Sequence, residues 1–277
     1  EGIQMQGLDA QYTLILIDGV PLVGRSAGSL DLSRVIVNNI KQIEIVKGAS
    51  SSLYGSEALG GVINIITESP KNKKLTGELN SRIGTFFTTD NNLNFGFGIN
   101  KLNINASINS FSTDGYDLDK KDNEKTVLPY RNLTSQLQLD YRFSDKSNLV
   151  VSNRYFNQSN NVETIVNNKN ASGTTKTNEY NSHSRFFYNP NDNLSFTGEF
   201  YATQYYIKDD VRFNDTNTIV YNDFFKENLL RPEIRTSFKK RNTTYTSGFG
   251  YSFNDLERTY FDQKALNNSY YGFLQYD

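Results

Sequence analysis

The sequence predicts a mainly β protein: an antiparallel transmembrane β-barrel preceded by a small α+β domain. Three observations predict this. Residues 1–68 and 69–277 follow different patterns. The second stretch alternates apolar and polar residues with a period of two. Its connections alternate between short and long, which is the layout of a meander with tight turns at one end.

The first stretch mixes short apolar runs with a helical or turn segment. Tyr12 to Ile17 is a continuous apolar run closed by Asp18-Gly19, a turn signal. Ile43 to Val46 is a second run, stopped by Lys47-Gly48, and Val62 to Thr67 is a third. Uninterrupted runs suit strands covered on both faces.

The second stretch predicts ten strands, near 75–86, 93–100, 102–111, 133–143, 149–157, 179–189, 194–206, 229–239, 243–253 and 269–277. In 133–143, Leu133, Leu137, Leu139, Tyr141 and Phe143 share one face, and Thr134, Gln136, Gln138, Asp140 and Arg142 share the other. Short connections are expected at 100–101, 144–148, 190–193 and 240–242, and long loops at 112–132, 158–178, 207–228 and 254–268. Strands of about 9–12 residues suit a tilted crossing of a bilayer. An open sheet with one apolar face would leave edges and a large patch unsatisfied. A soluble, Asn-rich β-domain is the competing reading of the same pattern.

Composition narrows the function classes. The 277 residues carry a net charge of -1, so no basic excess points to nucleic acid as a partner. There is no cysteine, which removes disulfides, thiolate chemistry and cysteine-based zinc sites. No stretch approaches the ~20 apolar residues that a membrane helix needs. A β-barrel is not excluded, because alternating strands average to a polar composition. The abundance of Tyr (18) and Phe (19) suits strands and a membrane–water girdle. The chain opens at Glu1 without a charged leader or cleavage site, which we read as truncation at both ends.

Residues 40–67 read IKQIEIVKGASSSLYGSEALGGVINIIT. They closely resemble the end of the plug domain of TonB-dependent outer-membrane receptors, roughly I-x-x-I-E-V-[VL]-[KR]-G-x-x-S-x-L-Y-G-x-x-A-x-G-G-V-I-N-I-[IV]-T. Upstream, Leu14 to Leu22 (LILIDGVPL) resembles the same plug's L-x-L-[IV]-D-G-V-x-[LV] strand and turn. The glycines of the motif have physical work to do: Gly55, Gly60 and Gly61 permit tight turns or close backbone approach between strands. The resemblance implies that 1–68 is the C-terminal part of a plug and 69–277 the N-terminal part of the barrel, ten strands of about 22.

The resemblance also implies a function: energised import through the bacterial outer membrane, without catalysis. The implied partners are a scarce metal chelate (ferric siderophore, haem or cobalamin), the TonB–ExbB–ExbD complex and outer-membrane lipid. A passive porin or adhesin barrel, and an importer of glycan or peptide, are the alternatives. The turn Leu22, Val23, Gly24, Arg25, Ser26, Ala27, Gly28 resembles the apical plug loop that touches substrate in cobalamin-type receptors. Arg25 has two readings, contact with an anionic chelate and a plug–wall salt bridge. Arg34, Glu44, Lys47 and Glu57 are read as plug–wall pairs.

No cofactor is required by this reading. Calcium in an extracellular loop is implied by the loop 112–132, where Gly115-Tyr116-Asp117 resembles a loop start of cobalamin receptors whose Asp binds calcium. Asp114, Asp119, Asp122 and Glu124 add carboxylates, but their spacing departs from that pattern, and a solvated charged loop is the other reading. The one histidine, His183, lies on the polar phase of a strand with no nucleophile-elbow motif in the sequence, so a structural role is expected.

Overall fold

The computed structural model describes residues 3–24, 30, 32–35, 40–47, 58–68, 75–118 and 125–276. The chain divides into two compact units, Glu1–Pro70 and Lys71–Asp277.

In the first unit four strands form one sheet: β1 Thr13–Ile17, β2 Val20–Pro21, β3 Ile40–Lys47 and β4 Gly61–Thr67, in the order β2-β1-β4-β3. β1 and β4 are parallel, and the outer pairs are antiparallel. The central pair is covered on both faces, which explains the uninterrupted apolar runs. Ile15, Ile63 and Ile65 pack with Met5, Leu22 and Leu30 on one side, and Leu14, Leu16 and Val62 pack with Ala58 on the other. Two 3₁₀ turns, Ala10–Tyr12 and Leu32–Arg34, are the helical content of the described residues.

Gly60 and Gly61 do what the motif requires. A Cβ on Gly61, whose φ is +143°, would lie 2.6 Å from both the Val46 carbonyl and the Met5 side chain; one on Gly60 would lie 3.1 Å from the Tyr12 carbonyl. The strands enter β4 only if these positions carry no side chain.

The second unit is one antiparallel meander of ten strands in chain order: β5 Leu75–Ile83, β6 Thr89–Ile99, β7 Leu102–Thr113, β8 Tyr130–Ser144, β9 Ser147–Val166, β10 Lys169–Asn191, β11 Leu194–Phe213, β12 Ile219–Lys240, β13 Thr243–Arg258 and β14 Ala265–Tyr276. β5 and β14 are the free edges of this sheet. All ten expected strands are present, and two-residue turns join them at 100–101, 145–146, 192–193 and 241–242.

Three of the four expected long loops are corrected by the structure. Residues 158–178 pair as continuations of β9 and β10 around a two-residue turn, Asn167-Asn168, with φ of 51° and 60°. Positive φ at both positions suits the primed hairpin turn that matches strand twist. Likewise 207–228 and 254–268 are largely strand, with connections only at 214–218 and 259–264. Strands β9 to β12 therefore run 20–23 residues, about twice the expected crossing length. In 158–161 both phases are polar, and beyond them apolar residues such as Val211, Phe224 and Phe225 no longer keep to one face, so backbone pairing continues where the apolar alternation stops.

Burial on the sheet is inverted relative to a water-soluble protein. On β8 the buried side chains are Thr134, Gln136 and Gln138, whereas Leu133, Leu137, Tyr141 and Phe143 are 40–47% exposed. The same inversion recurs on other strands: Phe200, Ile234, Phe238 and Phe249 are exposed, and Arg154, Glu179, Asn181, His183 and Glu233 are buried, with Phe156, Tyr201, Tyr205 and Val211 buried among them. Apolar-out and polar-in is the arrangement of a lipid-facing barrel wall.

Candidate functional site

The candidate contact turn begins at the end of β2. Leu22 donates its amide to Ile15 O at 3.0 Å and is buried in the core, and Val23 is buried beside it. Gly24 turns the chain with φ +81°. The fully buried Arg34 donates Nη1 to Val23 O at 2.9 Å. The base of the turn is thus gripped from two sides. Arg25, Ser26, Ala27 and Gly28 lie outside the described residues.

The neighbouring Asp18-Gly19 turn is fixed equally firmly. Gly19 N donates to Asn64 Oδ1 at 3.0 Å, and Asn64 Nδ2 donates to Glu44 Oε2 at 3.1 Å. Gln42 Nε2 donates to the other Glu44 oxygen at 2.7 Å. Arg34 and Glu44, expected to pair with the wall, both find partners inside the small unit. Lys47 ends β3, and Glu57 lies outside the described residues.

The loop after β7 is drawn into a neck. Tyr116 and Val127 exchange both backbone hydrogen bonds at 2.9 Å. Gly115, at φ +73°, sits so close to Val127 that a Cβ there would collide with its carbonyl. Tyr116 packs on Phe86 with ring centroids 5.1 Å apart. Asp117 follows this neck. Asp119, Asp122 and Glu124 lie outside the described residues, and among the described residues no group of three or more His, Asp or Glu is placed to hold a metal ion.

The buried polar face of the wall holds a network that the pattern pointed to only as a polar phase. Arg154 pairs with Glu179 at 2.6 Å, both buried, and Asn181 donates to the same Glu179 oxygen at 2.9 Å. Tyr201 OH donates to Asn181 Oδ1 at 2.9 Å. His183 Nε2 lies 3.0 Å from Glu199 Oε1, and Arg231 approaches that oxygen at 3.9 Å. Further along, Tyr271 OH donates to Glu233 Oε2 at 2.8 Å. The partner of His183 is a carboxylate, which fits the structural role expected for it. Charged groups in mid-strand on the polar phase were the signal; which would meet depended on register.

Residues 1–62 match the family model of the TonB-dependent receptor plug domain. The vitamin B12 transporter BtuB of Vibrio cholerae is 31% identical over 115 residues, which cover 41% of this chain and 19% of the transporter. BtuB of Photobacterium profundum is 38% identical over 65 residues, 24% of this chain and 11% of that protein. The match therefore spans less than a fifth of the transporters' length. Among solved structures, the ferric enterobactin receptor PfeA of Pseudomonas aeruginosa aligns with a TM-score of 0.70 at 18% identity, over 92% of this chain and 43% of that one. The siderophore receptor PiuA of Acinetobacter baumannii aligns with a TM-score of 0.71 at 11% identity, over 93% and 40%. At these identities the structural likeness speaks for fold. Residues 1–62 thus carry a TonB-dependent receptor plug domain, and the chain as a whole has the fold of the solved siderophore receptors.

Proposed function

We propose that this chain is part of an outer-membrane receptor for TonB-energised import of a scarce metal chelate: a ferric siderophore, haem or cobalamin. The observation that carries the reading is a sheet with its apolar face outward and its polar face buried, in a chain that also holds a plug. A passive pore needs no plug, so the plug argues for gated transport. Similarity to B12 transporters and fold likeness to siderophore receptors both support small chelates as cargo.

The turn Leu22–Gly28 is the proposed ligand contact on the plug. Leu22 and Val23 serve as its buried base, Arg34 clamps that base, and Arg25 offers the charge that an anionic chelate would meet. Calcium at Asp117 belongs to the same reading. The described carboxylates do not form a cation site by themselves, so no step of transport is routed through the metal.

The test is binding of haemin, cobalamin and a panel of ferric siderophores to the full-length receptor in detergent. Binding of one class with a dissociation constant of about 1 μM or tighter, weakened about ten-fold or more by Arg25→Ala, supports the reading and its site. Absence of binding to all three moves the cargo to peptide or glycan. Removing calcium with a chelator during the same titration tests the metal.

A further inference from the structure

Strands β9 to β12 run past their neighbours. β8 begins at Tyr130, opposite Asn160, and β13 ends at Arg258, opposite Phe225. Beyond those points the four strands continue as an antiparallel extension with an edge on each side, 161–166 of β9 and 219–224 of β12. A free edge offers unpaired N–H and C=O groups to any other chain, and proteins guard such edges with bulges, proline, lysine or a covering segment.

The edge of β12 is guarded. Its register against β11 shifts at Val211 and Arg212. Thr259 covers it, donating its amide to Phe224 O at 3.1 Å and accepting from Phe224 N on its hydroxyl at 2.7 Å. Tyr260 OH donates to Asp223 Oδ2 at 2.6 Å.

The edge of β9 carries none of these devices. Its pairing with β10 runs to the Asn167-Asn168 turn without a shift, and 161–166 contains no proline or lysine. Asn161 donates its amide to Pro129 O at 3.0 Å, on the side away from β10. Backbone groups alternate in direction along a strand, so Glu163 and Ile165 turn theirs to the same open side. Pro129 has no N–H to return. The Asn161 carbonyl and both backbone groups of Glu163 and Ile165 therefore have no partner among the described residues. The side chains of these three residues are exposed, and no described cation pairs with Glu163.

We propose that this edge takes an extended polypeptide strand by β-augmentation, with a basic residue opposite Glu163 and an apolar residue opposite Ile165. Only another strand matches a row of backbone donors and acceptors; main-chain bonds supply affinity, and alternate side chains supply choice. An opposite charge set across the pair adds to both. Val162, Thr164, Ile165 and Val166 are β-branched and already held extended by β10, so little ordering is left to the partner. The inference goes beyond chelate import. That the partner arrives from outside the cell rests on the outer-membrane reading above, whereas strand addition itself does not.

The test uses the full-length receptor in detergent and a dye-labelled, end-capped peptide, Val-Thr-Lys-Thr-Val-Thr-Val, read by fluorescence anisotropy. Binding is expected, and a fully N-methylated form of the peptide should bind about ten-fold more weakly or worse. Ile165→Pro removes an amide on the open side without touching a β9–β10 bond, as proline is tolerated on an edge, and should abolish binding. Asn222→Pro on the guarded edge should leave it unchanged. Glu163→Lys should lose this peptide and gain the version with Glu in place of Lys, a swap that a misfolded variant would not show. No binding by the wild type, binding kept in Ile165→Pro, equal loss in Asn222→Pro, or failure of the charge swap overturns the proposal. So does a receptor dimer that Ile165→Pro dissolves in the absence of peptide, since the edge then serves a second copy. Absence of chelate binding or of heat-modifiable gel mobility in the wild type defeats the import reading and leaves the peptide result standing.

Discussion

The carboxylate of Asp18 accepts both the amide and the hydroxyl of Thr67, at 2.9 and 2.8 Å, across 49 residues of sequence. Asp18 closes the turn after β1, and Thr67 ends β4, so this contact locks the parallel pair at its C-terminal end. Hydrogen bonds to a charged group contribute about 1.5–3 kcal/mol. Asp18→Ala should lower local stability by about 2 kcal/mol, which corresponds to roughly 30-fold faster exchange of the Thr67 amide. Hydrogen exchange on the full receptor measures this. Exchange unchanged at Thr67 means the amide is protected by something other than Asp18.

The buried Arg154–Glu179 pair gives a second expectation. Removing one member strands the other charge, at a cost of about 3–5 kcal/mol. Arg154→Met alone should therefore lower the midpoint of the heat-modifiable gel transition substantially. Arg154→Met combined with Glu179→Leu should recover most of the loss, because no isolated charge remains. Additive losses in the double variant would falsify the pairing.

Much of this architecture was legible beforehand, and particular residues show why. The run Leu14 to Ile17 announced a strand covered on both faces, and the core confirms it with Ile15 and Leu16 on opposite sides. Alternation in 133–143 gave both the strand and its outward apolar face. Alternation failed beyond residue 157 because Gln158, Ser159, Asn160 and Asn161 are polar on both phases; only the Asn167-Asn168 turn betrayed the hairpin. The meeting of Arg154 with Glu179 was not legible, since it follows from a register set by the turns: Arg154 is opposite Asn181, and Glu179 is its diagonal neighbour. Of the candidate ligand turn, the resemblance suggested the position, and the clamp from Arg34 to Val23 emerged only with the fold.

Gly250 exists to admit Tyr271. A Cβ at Gly250 would lie 2.3 Å from the ring of Tyr271, which crosses β13 to reach Glu233 on β12. Gly248 makes the same room for Phe273, over which Arg235 sits at 5.7 Å. Gly250→Val should displace the ring and cost about 1–3 kcal/mol by overpacking. Tyr271→Phe keeps the ring and loses only its hydrogen bond to the Glu233 carboxylate, about 1.5–3 kcal/mol. Gly250→Val displaces the ring and so loses that bond as well, and urea denaturation of the detergent-folded receptor should find it at least as destabilised as Tyr271→Phe; a Gly250→Val variant as stable as the wild type would show that the ring does not occupy the glycine gap.

Lys264, in the connection between β13 and β14, holds its proton more tightly than an ordinary lysine. Its ammonium bonds first to Glu257 and then to Asp255, which raises its pKa above 10.5. The sign follows from linkage: a raised cation contributes stability that is fully present below 10.5 and is lost as pH climbs through the folded value. The side chain is open to water, so the effect is local. Titration of the Lys264 amine by NMR should give a midpoint above 10.5, falling back to the ordinary value in Glu257→Gln with Asp255→Asn. A wild-type midpoint at or below it would show that the two carboxylates do not hold the ammonium in solution.

The outward apolar face makes the broadest claim, and Ile234 tests it. Ile234 is 67% exposed on β12, flanked by Gly198 on one side and Phe249 on the other. In water such an exposed isoleucine would be replaceable by a charge at almost no cost. In hydrocarbon, arginine near the bilayer midplane costs about 2–4 kcal/mol on a barrel wall. Ile234→Arg should therefore reduce assembled receptor in the outer membrane and lower its stability in lipid vesicles by that amount. Thr216→Arg, in the hairpin turn beyond the wall, should leave both unchanged. If the two substitutions prove equally mild, the exposed apolar face meets water, and the sheet is not a membrane wall.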